Sequence, residues 1–107
     1  RDDMNPEELQ VTAFEIILNS GNARSMVHEA FNAMREGNFV LAEEKLVESN
    51  EEILKAHQAQ TDLLQEYASG KEIVVEIIMV HAQDHLMTTM TLREVALEML
   101  ELYKKIN

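Results

Sequence analysis

Small and apolar side chains recur in steps of four and three along the first part of the chain: Leu9, Ala13, Ile16, Ser20, Ala23, Val27, Ala30 and Met34. The same rhythm returns in Phe39, Ala42, Leu46, Ser49, Ile53, Ala56, Gln60, Leu63 and Tyr67. This is the heptad-like spacing of a helix with one buried stripe. Two glycines punctuate the pattern, Gly37 in "REGNF" and Gly70 in "ASGKE", each closing a helical run as a C-cap does. Pro6 followed by Glu7 and Glu8 suits a first helical turn. The pattern predicts three helices, over about 6–36, 39–68 and 71–106, each about 45 Å long. Short turns make sequential helices antiparallel. The expected fold is all-α, an up-down-up three-helix bundle.

The third segment is less regular. With His81 set at zero and about 100° per residue, Val74, His81, Leu92 and Met99 share one line. Ile77, Thr88, Val95 and Ile106 flank it on one side; Ile78, His85, Ala96 and Tyr103 flank it on the other. Glu72, Glu76, Glu94, Glu98 and Lys105 lie opposite. Met79, Val80, Leu86, Met87 and Met90 fill the remaining arcs. Two partner helices cannot cover so much apolar surface, so the pattern predicts an oligomer with this helix inside.

Composition narrows the class. The 107 residues fit one domain, placed at 4–107, with residues 1–3 ahead of Met4 read as an addition to a natural start. No cysteine is present, so disulfides and thiolate metal sites are excluded. No signal peptide is visible at the charged N-terminus, and "IVVEIIMV" is too short to span a bilayer, which points to a cytoplasmic protein. A formal net charge of −11 argues against nucleic acid and anionic membranes and fits a basic protein partner.

Folding the hairpins about the two glycine turns brings polar residues of all three helices to one height: Asn19, Ser20, Gly21 and Asn22, then His57 and Gln60, then His81 to His85. Gly21 is small there, and a mid-helix glycine implies a packing reason. His57 reads as a hydrogen-bonded core residue with Gln60 as its companion. His28 reads as a boundary residue, and Thr88 as bonded to its own helix carbonyls. Asn19 and Asn22 read as donors to a neighbouring helix. His81, Asp84 and His85 sit within one helical turn on the apolar side. Three chemistries suit them: metal binding by His at i and i+4, general base catalysis with Asp84 orienting an imidazole, or a nucleophilic histidine. The spacing does not choose among them. No His-Glu-x-x-His, serine elbow or glycine-rich phosphate loop is present, which argues against an independent ATP-using enzyme.

With "IILNSGNARSMVHEA" (16–30), "EGNFVLAEEKL" (36–46), "AHQAQT" (56–61) and "VHAQDHLMTTM" (80–90), the chain resembles the IIA component of the lactose/cellobiose (chitobiose) branch of the bacterial phosphoenolpyruvate-dependent sugar phosphotransferase system. The resemblance runs over nearly all of the chain after Met4. It implies a homotrimer, nine helices together. It implies His81 as the residue phosphorylated on Nε2, with Gln83 and His85 in support. The phosphocarrier HPr would be the donor and the cysteine of a IIB component the acceptor. It also implies Asp84 near a threefold axis, where three copies share a divalent cation, expected to be Mg2+ from the oxygen ligands. The sugar would be a disaccharide such as cellobiose, chitobiose or lactose. Contact with the membrane would be indirect, through the IIC permease. Two other readings compete. One is a non-catalytic helical oligomer with a structural or metal-binding His/Asp layer. The other is a histidine phosphotransfer module of two-component signalling, which usually needs a fourth helix.

Overall fold

A computed structural model describes residues 4–107; the expectation for residues 1–3 lies outside them. Three helices follow in order, α1 (Pro6–Arg35), α2 (Phe39–Ala68) and α3 (Ile77–Ile106). α1 starts where Asn5 Oδ1 accepts the Glu8 amide at 3.0 Å, with Pro6 in the first turn. α2 starts on Asn38, whose Oδ1 accepts the Leu41 amide at 3.1 Å. Gly37 and Gly70 have φ of +79° and +99°, the left-handed backbone that ends a helix. Beside Gly37 the Asn38 amide reaches back to the Ala33 carbonyl at 2.9 Å, so the last turn of α1 keeps its acceptors satisfied.

α3 begins six residues later than the expected 71. Lys71 to Glu76 form no helix. Ile73, Val74 and Val75 are β-branched in succession, a run that loses side-chain freedom in a helix. The extended Glu76 provides no side-chain cap, so helix begins only where packing supplies the stability.

The bundle is a rod of 58 × 20 × 18 Å. Cross-helix contacts fix its register. Asn22 Nδ2 donates to Glu52 Oε1 at 3.4 Å, Lys45 pairs with Glu29 at 3.0 Å, and Arg24 Nη2 donates to Thr88 Oγ1 at 3.0 Å. α1 and α3 are therefore parallel, and α2 runs back between them, as the turns predicted. Every residue of the expected α1 stripe is buried. The α2 stripe holds from Ala42 to Leu63, with Phe39 and Gln60 half-buried and Tyr67 exposed at its end. Two apolar clusters result, one built around Ile16, Ile53 and Leu86, the other around Val27, Leu46 and Leu100. Ser20, Ser49 and Thr89 are fully buried, and half-buried Arg93 joins them: its Nε donates to the Leu46 carbonyl at 2.9 Å and to Ser49 Oγ at 3.2 Å. Burial holds the Arg93 guanidinium below its ordinary pKa.

α3 presents a different face from the one expected. Met79, Ala82, Leu86, Thr89, Ala96 and Leu100 are the residues turned inward. Their centre lies about 100° around the helix from His81. Met79 and Leu86, expected to be surplus, are core residues of the chain's own bundle. The surplus lies elsewhere: Ile77, Val80, Met87, Val95, Leu102 and Ile106 all remain exposed.

Candidate functional site

His81 lies in the second turn of α3 and is exposed, as is Asp84 one turn on. They share a stripe that stays exposed among the described residues. Reading along it in steps of four and three gives Ile77, His81, Asp84, Thr88, Thr91 and Val95, all exposed. The polar cluster thus stands on the outside of the bundle, not inside it as the wheel centred on His81 implied. The reason is that α3 is apolar on two faces, and the covalent bundle takes the other one.

His85 is half-buried beside His81, with ring centroids 6.0 Å apart and planes at 76°. Its Nδ1 lies 3.4 Å from Thr89 Oγ1. That contact can hold the His85 ring while leaving His81 free to turn. Gln83, also half-buried, is two residues on, so the helix turns it about 200° away from His81. It does not share the His81 face within one chain. Thr88 Oγ1 donates to the Asp84 carbonyl at 2.9 Å, as the sequence predicted.

The other mid-bundle expectations divide. Asn22 is a donor to the neighbouring helix, as expected. His57 is not a core residue: it is exposed, with Nδ1 3.4 Å from Thr61 Oγ1 on its own helix. Gln60 is not its companion; its Nε2 faces Met87 Sδ at 3.9 Å. His28 is exposed, its ring 6.1 Å from Phe31. At Gly21 an added Cβ would meet nothing within 4 Å, so the chain's own packing gives no reason for the glycine.

Exposed apolar side chains lie at the height of the exposed imidazole. The Arg24–Thr88 bond sets α1 level with α3, which puts Leu18 near the height of His81 and Phe14 near Ile78. Val11, Phe14 and Leu18 are exposed on α1, and Ile77 and Val80 on α3. A shallow cleft lined by Gln10, Phe14, Val75, Glu76, Ile77 and Ile78 adjoins them. Among the described residues no three His, Asp or Glu side chains are placed to hold a metal ion. Between Ile77 and Val95 the stripe carries a single carboxylate, Asp84, so the expected Mg2+ site does not fit one chain. Among the described residues no helix is long and apolar enough to cross a membrane.

This arrangement suits nucleophilic chemistry on an accessible imidazole. A neutral ring offers one lone pair to an incoming electrophile, and the exposed apolar side chains offer a docking surface to the molecule that carries it. Arg24 escaped the sequence reading. It is the one cation of α1 between Glu15 and Glu29, and only the register of α1 against α3 shows that it reaches Thr88.

Residues 11–104 match the family model of the lactose/cellobiose-specific IIA subunit of the phosphotransferase system. The lactose-specific EIIA component of Staphylococcus epidermidis is 47% identical over 102 residues, covering 95% of this chain and 98% of that protein. The crystal structure of PtcA from S. mutans superimposes with a TM-score of 0.94 at 84% identity, covering 94% of this chain and 99% of that one. The solution structure of the IIA(Chitobiose)-HPr complex of Escherichia coli gives a TM-score of 0.76 at 33% identity, covering 92% of this chain and 95% of that one.

Proposed function

The chain belongs to the lactose/cellobiose-specific IIA family of the sugar phosphotransferase system, and from that premise we propose that it is a cytoplasmic phosphoryl relay acting through His81. The observation that carries the proposal is the exposed imidazole on an uncovered stripe of α3, with Ile77 and Val80 exposed on the same helix and Leu18 exposed at its height on α1. The Nε2 lone pair of His81 attacks the phosphorus of phosphorylated HPr. The new N–P bond forms as the donor's N–P bond breaks, and the donor imidazole leaves with its electron pair. In the second transfer a thiolate of a IIB component attacks the same phosphorus, and His81 leaves in turn. Both steps ask for positioning and charge stabilisation, not for acid–base work on a poor leaving group. The HPr complex of the chitobiose relative supports HPr as donor. The net charge of −11 favours encounter with a basic docking face. The transported sugar in this reading is a disaccharide such as cellobiose, chitobiose or lactose, which a lactose-specific and a chitobiose relative support, while another relative is lichenan-specific.

The working form is a homotrimer closed on the Asp84 side of the exposed stripe of α3, with His81, about 60° around the helix from Asp84, at the open edge of the seam. Threefold closure brings three Asp84 carboxylates together, where a shared Mg2+ would offset their repulsion. Gln83 and the half-buried His85 support the phosphoryl group or the His81 ring, Gln83 from the opposite side of α3 toward a neighbouring copy.

The test is incubation with phosphoenolpyruvate, enzyme I and HPr, followed by peptide mapping under alkaline conditions. Acid-labile phosphate is expected on His81 and absent from His28, His57 and His85. His81→Ala should accept none while keeping the helicity of the parent, because the ring makes no core contact. Phosphate on another histidine, or none after full loading of HPr, overturns the proposal.

A further inference from the structure

We propose that Arg24 is the counter-charge of the Asp84 layer, so that the assembled protein offsets its clustered carboxylates with its own guanidinium groups and does not need a metal ion to hold together. This rests on the assembly reading given above.

Arg24 stands apart from the lysines that pair with glutamates and, unlike Arg35 and Arg93, its head reaches an exposed residue of the uncovered stripe. Lys45, Lys55 and Lys104 each sit beside a glutamate at the bundle surface. Arg24, among the described residues, has no carboxylate within ion-pair distance, although the chain carries a net charge of −11. It is half-buried, and its Nε is shielded from water with no hydrogen-bond partner. A guanidinium left in that state is costly unless something else completes its surroundings. Its head extends across the α1–α3 junction to Thr88, where Nη2 donates to Oγ1 at 3.0 Å. Thr88 in turn donates to the carbonyl of Asp84 at 2.9 Å. The arginine is therefore aimed at the uncovered stripe of α3, one helical turn from Asp84, and not at the acidic outer surface.

Closure of that stripe around a threefold axis completes both groups at once. Three carboxylates collect at one height, and three guanidinium groups collect about 6 Å along the axis. Each arginine keeps free N–H donors for the Asp84 side chain of its own or a neighbouring copy, since only one is used on Thr88. The layer is then neutral. A bound divalent cation adds to this compensation and does not replace it.

The experiment is a double-mutant cycle read by sedimentation over a range of protein concentrations, with and without a chelator. The chains are the wild type, Arg24→Gln, Arg24→Lys, Asp84→Asn and the double variant Arg24→Gln/Asp84→Asn. Arg24→Gln is expected to weaken the trimer at least tenfold, and further in chelator, while the wild type stays assembled in chelator. In the Asp84→Asn background the same change should cost less than twofold, because the charge it served is gone. Arg24→Lys, which keeps the charge, should stay within about threefold of the parent. Helicity and melting of each variant at high dilution separate a folding defect from an assembly defect. Equal losses in both backgrounds make Arg24 a packing residue and overturn the proposal, as does Arg24→Gln with no loss. A wild type that disassembles in chelator overturns it as well. A wild type that is monomeric at every concentration removes the assembly reading itself, which the parent curve alone reveals.

Discussion

Leu100 and Leu102 stand two residues apart on α3 and face different worlds. Leu100 is 2% exposed within the second core cluster; Leu102 is 57% exposed and points along the uncovered stripe. Full burial of a leucine side chain is worth about 2 kcal/mol. Leu102 has more than half of that still to gain, about 1 kcal/mol per copy, which only assembly can supply. Leu102→Ser therefore removes about 3 kcal/mol from a trimer, or about two orders of magnitude in its association constant. The isolated chain should lose little more than the share Leu102 already buries. Leu100→Ala should do the reverse. It leaves a cavity in the bundle at a cost of about 2–5 kcal/mol to folding, with the melting temperature falling about 4–8 °C for each of those kcal/mol. Sedimentation across a concentration series reads the first effect, and thermal unfolding at high dilution reads the second. Dilution matters because assembly by mass action raises the apparent stability of whatever assembles. An association constant unchanged by Leu102→Ser, alongside a normal loss in Leu100→Ala, would falsify closure through this stripe.

Two glycines should respond in opposite ways. Gly21→Ala adds a Cβ into open space within a helix and should stabilise the isolated chain by about 0.5–1 kcal/mol. Gly37→Ala holds an alanine at φ +79° and should cost about 1–2 kcal/mol; unfolding curves of equal midpoint would contradict both. The Lys104 ammonium is raised above its ordinary 10.5, chiefly by its hydrogen bond to Glu43. A raised folded pKa gives stability that is complete below the unfolded value and fades as pH climbs through the folded one. Melting temperatures of the parent and Lys104→Met should therefore keep a constant, small separation from about pH 6 to pH 9. They should converge only above 10.5; convergence near neutrality would count against the pair.

How much of this was legible in the sequence differs by helix. α1 and α2 each carry one stripe of small and apolar residues, so position alone told which side is buried. Their ends were legible because Gly37 and Gly70 adopt a backbone other residues avoid. α3 carries two apolar faces, and a helical wheel cannot say which of them the same chain covers. Centring it on His81 selected the wrong one. The start of α3 was misplaced because helix was expected directly after the Gly70 turn, although Ile73, Val74 and Val75, three β-branched residues without a cap, favour extended chain. His81, Asp84 and His85 were legible as a cluster, since residue type and spacing reveal a turn of chemistry. Their exposure was not, and neither was Arg24, because a lone arginine reads as a solvated charge until the helix register is known.

The double demand on α3 also explains why its outer stripe is so mixed. Ile77 lies at one end of that stripe and Val95, Leu102 and Ile106 toward the other, while His81, Asp84, Thr88 and Thr91 occupy the stretch between. In the proposed trimer the apolar ends supply the association energy. The polar middle supplies little, because burying polar groups gains only what their hydrogen bonds return. A stripe apolar throughout would assemble more tightly, yet it would give phosphorus nothing to bond to. Charged positions in a helical seam also penalise the wrong alignment of copies. A slip of one heptad would set Asp84 beside the apolar Ile77 or against Thr91 of its neighbours. The stripe thus trades affinity for register, and register is what keeps a relay histidine near the N-terminal end of its helix, open to each partner in turn.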